Sequence, residues 1–171
     1  NRDAAMRDYK SAGAAFSKRD FNTAAKLLER SIENDPAFLP PYKGLLQLRR
    51  GLGETTALKA FETRTGSTAR KHLRGAATAM IPSFLQSGEK LLKAKKTRAA
   101  LQDYQRSAAM LDATGLRCAS GILFSRAAHA AYELTNFKLG VRLLETATEH
   151  CLAEKQERVA AGYVKRIAFY K

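Results

Sequence analysis

The chain has 171 residues, 45% of them hydrophobic, with four Pro, two Cys and no Trp, and its 30 Lys and Arg against 16 Asp and Glu give a formal net charge of +14. That length and composition suit a helical globular protein with a sizeable core and exclude a disordered chain, and without a run of 18 apolar residues no membrane-spanning helix is expected. A cationic surplus of this size predicts attraction to polyanions (RNA, an acidic protein surface or anionic lipid head groups) and leaves the fold open.

The chain opens Asn1-Arg2-Asp3, with no Met and no apolar signal core, so either a leader has been removed or this is part of a longer polypeptide. The spacing predicts a first helix over 3–18, with Asp3 as its cap and Met6, Tyr9, Ala12, Gly13 and Phe16 near one face. After a turn at Arg19-Asp20-Phe21, residues 23–34 form its antiparallel partner, with Ala24, Leu27, Leu28, Ser31 and Ile32 as one stripe. Asn22 or Thr23 caps this second helix, and Asp35-Pro36 stops it, because proline disfavours a helical residue before it. Pro40-Pro41 opens a third helix over 42–51, ended by Gly51 and Gly53. A short fourth helix, capped by Thr55 or Thr56, carries Leu58 and Phe61 to about residue 63.

From Arg64 the pattern changes to a turn and a basic helix start that runs through Met80 and is broken by Pro82. A separate helix is expected over 83–95, with Phe84, Leu85, Leu91 and Leu92 as its apolar positions. Thr97 caps the next, over 98–111, with Ala100, Tyr104, Ala108 and Leu111 on one stripe. Residues 116–134 are rich in small residues and apolar on most faces, so this helix should be central. Asn136 caps a helix over 137–151, with Val141, Leu144, Ala147 and Thr148 facing in. The last, over 153–170, sets Val159, Tyr163, Ile167 and Tyr170 against Glu154, Glu157, Arg158 and Arg166.

The helix pairs recur. Ala12, Ala15, Ala24, Leu28, Ser31 and Pro36 fall in step with Gly88, Leu91, Ala100, Tyr104, Ser107 and Asp112, and again with Ala128, Ala131, Gly140, Leu144, Ala147 and Leu152. Small residues at the first, third and fifth positions meet the needs of close helix contact, and the large fourth residue fills the gap between hairpins. A recurrence near 34 residues marks a helical-repeat array. These positions resemble those of the tetratricopeptide repeat family, whose hairpins carry small, aromatic, small, large, small and proline residues at such offsets. The resemblance implies an all-α, right-handed α-solenoid of about nine helices in a single domain over 1–171. Its repeats would span about 5–36, a degenerate 38–63, 81–112 and 121–152, closed by a capping helix over 153–171.

Some domains of that family hold chaperone C-termini in a clamp of Lys and Asn side chains. The matching places here carry Tyr9, Gly13 and Arg126, so a chaperone-tail carboxylate clamp is not expected. The segment 64–98 holds Arg64, Arg70, Lys71, Arg74, Lys90, Lys93, Lys95, Lys96 and Arg98 against the single acid Glu89, a net +8. A charge run is ordinarily a solvated face, but charge this dense repels itself unless something acidic sits there. It is therefore the expected partner-binding patch, and with Phe84 as its one aromatic it favours phosphate or carboxylate contact over base stacking.

Cys118 and Cys151, without a CxxC pair or clustered His, read as reduced, partly buried thiols. His72, His129 and His150 are scattered, and no phosphate loop, nucleophile elbow or paired acids occur, so neither an enzyme nor a cofactor is expected. The expected function is a non-catalytic scaffold or adaptor that binds an acidic protein segment or assembles a larger complex. The alternative is an RNA-contacting subunit of a ribonucleoprotein such as an organellar ribosome. The expected location is intracellular, in cytosol or mitochondrion.

Overall fold

The computed structural model describes residues 1–171, and every regular element in it is a helix: α1 (Arg2–Ser17), α2 (Phe21–Asn34), α3 (Pro40–Leu52), α4 (Thr55–Arg64), α5 (Ser67–Lys93), α6 (Thr97–Ala113), α7 (Arg117–Glu133), α8 (Phe137–Ala153) and α9 (Glu157–Tyr170). Contacts divide the chain into two compact units, Asn1–Ala79 and Met80–Lys171. No helix is long and apolar enough to cross a membrane.

In the first unit, α1 and α2 approach closely because Ala5, Ala12, Ala24 and Ala25 are buried between larger neighbours. The buried Ser31 hydroxyl donates to the Ala5 carbonyl at 2.7 Å and ties the two helices together. The cap of α2 is Asp20, whose Oδ1 accepts the Thr23 N–H at 3.2 Å; Asn22 and Thr23, the expected caps, already lie inside the helix. Likewise Asn1, and not Asp3, caps α1 by accepting the Ala4 N–H. Two ionic clusters complete the unit. Asp8 accepts from Arg30 Nε at 2.8 Å and from Asn34 Nδ2 at 2.9 Å. Glu29 accepts from Arg49 at 2.7 Å and Arg64 at 2.8 Å, and Arg49 also donates to Glu54.

The hydrogen bond and charge of Arg30 hold the Asp8 carboxyl below its ordinary range, although burial pulls the other way. The unfolded chain therefore takes up this proton at a higher pH than the folded one. The stabilisation from Asp8 is complete above the unfolded carboxylate pKa of about 4 and is lost as pH falls through the lower folded value. We expect Asp8→Asn to flatten the acid limb of a stability–pH profile measured by urea denaturation. An unchanged acid limb would mean that the pair adds nothing.

In the second unit α5 runs unbroken through Pro82, where the sequence predicted two helices. Proline removes one helical hydrogen bond but does not end a helix whose flanking turns are packed. Here Met80, Phe84 and Gly88 are buried, and the Ser83 hydroxyl donates to the Met80 carbonyl at 2.8 Å. The division between the units falls at Ala79–Met80, just before this proline.

The turns that follow are uniform. Lys95, Gly115, Thr135 and Lys155 take left-handed conformations, with φ of 59°, 82°, 60° and 58°. They stand at intervals of twenty residues, so the second unit repeats its hairpin every forty. The spacing of about 34 holds in the first unit, between Arg19 and Gly53, whose φ values are 60° and 70°. At all six turns the N–H of the next residue donates to the carbonyl five residues back, at 2.8–3.0 Å, which closes the helix end.

The aligned small residues Ala24, Ala100 and Gly140 are all buried. Tyr104, expected between hairpins, packs against Gly88 of α5 within its own. A Cβ built on Gly88 would lie 2.1 Å from Tyr104 Cζ. The ring is fully buried and its hydroxyl has no hydrogen-bond partner, so it has nowhere to retreat. Gly88→Ala should destabilise the chain by about 2–3 kcal/mol through overpacking, and adding Tyr104→Leu should recover part of the loss. A thermal midpoint unmoved by Gly88→Ala would contradict this packing.

α7 is central as expected, with eight of its residues buried. α9 packs along most of its predicted stripe. Tyr163 lies 3.1 Å from the Cβ position of Gly121 and Tyr170 stacks on Tyr132, but Val159 is exposed and Ala160 is the buried residue of the helix. The helix begins at Glu157 because Lys155 forms the turn, so Ala153 belongs to α8.

Candidate interaction surfaces

An open apolar groove of about 680 Å³ lies in the first unit. α1 contributes Tyr9, Ala12, Gly13 and Phe16, α2 contributes Phe21, Ala24 and Leu28, and α3 contributes Gly44, Leu48, Gly51 and Leu52. Lys10 and Gln47 are its polar lining residues. The glycines make room for it. A Cβ at Gly13 or Gly51 would meet nothing within 4 Å, and one at Gly44 would rest on Leu28 at 3.5 Å. Phe16 stays 56% exposed although it packs against Phe21, so its ring is available to another molecule. Tyr9 and Gly13 thus line an apolar groove, while Arg126 lies exposed on α7 in the other unit.

The nine predicted patch residues divide between the units: Arg64, Arg70, Lys71 and Arg74 in the first, Lys90, Lys93, Lys95, Lys96 and Arg98 in the second. The expectation of uncompensated charge fails in the first unit, because acids distant in sequence fold onto it. Arg64 pairs with Glu29 at 2.8 Å and Glu33 at 3.4 Å, and Arg74 pairs with Glu62 at 3.2 Å. Arg70 donates to the Thr65 carbonyl at 3.1 Å. In the second unit the charge stays exposed. Lys95, Lys96 and Arg98 gather at the α5–α6 turn, where with Thr97, Ala99, Gln102 and Leu134 they line a concavity of about 530 Å³.

Sequence reasoning missed an aromatic cluster in the same unit. Tyr132 meets Phe137 at 5.1 Å, Tyr170 at 4.7 Å and Phe169 at 6.1 Å between ring centroids. Counting aromatics only inside 64–98 could not find it, because its members come from α7, α8 and α9.

Cys118 and Cys151 are joined by a disulfide, which corrects the reading of two reduced thiols. Their separation of 33 residues is one helix out, a turn and one helix back, which brings the first turn of α7 beside the last turn of α8. Around the bond, Glu154 accepts the Arg117 N–H at 3.0 Å. Ser120 Oγ and Asp112 Oδ1 both face His150 Nδ1, at 3.2 and 3.7 Å. Serine and carboxylate thus share one ring nitrogen, so the imidazole cannot relay a proton between them as a catalytic triad does. His72 leans on Tyr42 and His129 bonds Glu133 at 3.2 Å, and no three His, Cys, Asp or Glu gather as metal donors.

The chain is therefore an all-α protein with an apolar groove in one unit and an exposed basic turn in the other. No protein-family model matches it, and no curated protein matches it.

Proposed function

We propose that this protein is a non-catalytic adaptor of tetratricopeptide-like hairpins, coiled as a right-handed solenoid, that holds an acidic segment of another protein. The groove of the first unit carries this reading. Its floor is apolar, three glycines keep it open, and Lys10 supplies a cation for an Asp or Glu of the occupant. An amphipathic segment with apolar anchors and a flanking acid fits that chemistry. The unpaired cations of the second unit favour an RNA-contacting role as the second reading. The disulfide weighs against it and for an oxidising compartment, and so against the cytosol, one of the two locations expected.

The test uses the groove's own glycines. The Cβ of a Leu at Gly13 or Gly51 enters open space, and each change relieves the helix of a glycine that costs about 0.5–1 kcal/mol. We expect the Gly13→Leu/Gly51→Leu variant to melt at or above wild type. Peptides selected on wild type should be rich in Asp and Glu, keep a salt-insensitive part of their affinity, and lose the variant. Selected peptides that bind the blocked variant equally well would remove the groove from the function.

A further inference from the structure

Three features fall on one edge of the second unit, brought there by its antiparallel helices. The first is the α5–α6 turn with Lys95, Lys96 and Arg98. The second is the α7–α8 turn, whose Leu134 lines the same concavity as those cations. The third is the end of α9, where Tyr170 stacks on Tyr132 and lies 3.6 Å from the Cβ position of Gly140. Leu134 is two residues from Tyr132 and three from Phe137, so the basic concavity and the aromatic cluster are contiguous. Phe137 is 45% and Phe169 75% exposed, and the cations Lys93, Lys138 and Lys171 stand exposed on the same stretch. Its acid, Glu133, bonds His129.

We propose that this edge docks on the surface of an anionic phospholipid bilayer, with Lys95, Lys96 and Arg98 on head-group phosphates and Phe137 and Phe169 at the acyl boundary. Exposed Phe is costly in water, and cations beside it recognise a surface that is apolar within and anionic at its face. No helix can span the bilayer, so the contact is peripheral. One observation sets this above a single-stranded nucleic acid: Phe137 and Phe169 are tilted 65° and 39° to Tyr132, so neither extends the Tyr132–Tyr170 stack into a row of parallel rings on which successive bases stack. The inference is independent of the groove, which lies in the other unit.

Co-sedimentation with vesicles of phosphatidylcholine alone, and of phosphatidylcholine with phosphatidylglycerol, tests it at low and physiological salt. Wild type should bind the anionic vesicles and leave the neutral ones. Lys95→Gln/Lys96→Gln/Arg98→Gln should bind them about a hundredfold more weakly, at roughly fivefold per charge. Phe169→Ala should lose roughly tenfold at both salt concentrations, because it removes an apolar contact. All four side chains are exposed, so the variants should keep the wild-type thermal midpoint, which is measured alongside. Failure of wild type to bind anionic vesicles would overturn the proposal, as would variants that bind like wild type. An oligouridylate that wild type binds while leaving vesicles alone would make the edge a nucleic-acid platform instead.

Discussion

Replacing Glu29 with Ala should destabilise the protein by about 3–5 kcal/mol, the cost of leaving a buried cation without its partner. Glu29 and Arg49 both lie buried in the first unit. Burial works against the charge of Arg49, yet hydrogen bonds to Glu29 and Glu54 raise its pKa, so it stays ionised at any pH of interest. Its Nε already lacks a hydrogen-bond partner. Without Glu29, only the partly exposed Glu54 would remain to it. Arg64, half exposed, would turn to Glu33 or to water at little cost. Urea denaturation of Glu29→Ala beside Glu29→Leu/Arg49→Met separates the meanings of this cluster. The double variant should recover most of the loss, because a buried ion pair replaced by apolar groups is often neutral. A single variant within about 0.5 kcal/mol of wild type would show that Arg49 reaches water.

The second large effect belongs to the disulfide. Opening a cross-link between residues 33 apart should lower stability by about 3–4 kcal/mol, from the chain freedom it returns to the unfolded state. Cys151 is fully buried while Cys118 is partly accessible. Denaturation with and without reductant, together with Cys118→Ser/Cys151→Ser, measures the effect. An identical midpoint with and without reductant would show that the native protein holds two thiols.

What was legible in the sequence was whatever short-range spacing controls. Ala24, Ala100 and Gly140 are buried because close helix approach demands small residues, and Asn136 caps α8 because its short side chain reaches the Leu139 N–H. Pro82 misled, since its local preference to end a helix is outweighed by the packing of Phe84 and Gly88. The basic patch was legible as charge and illegible as a site. Composition places Arg64 and Arg74 beside other cations, and only the fold sets Glu29, Glu33 and Glu62 against them. The disulfide and the aromatic edge escaped for the same reason. Each joins residues that approach only after a helix has turned back on itself.

The forty-residue interval between like turns has a consequence for heredity. Lys95 and Thr135 share one backbone conformation, and the residue after each closes its turn with the same bond to the carbonyl five residues back. An in-frame duplication of residues 96–135 would therefore begin and end at equivalent joints, and the added hairpin would meet faces of a kind already present. An insertion of another length inside one of these helices would turn the small residues beyond it off the packed face. The second unit therefore grows or shrinks by whole hairpins, in steps of forty.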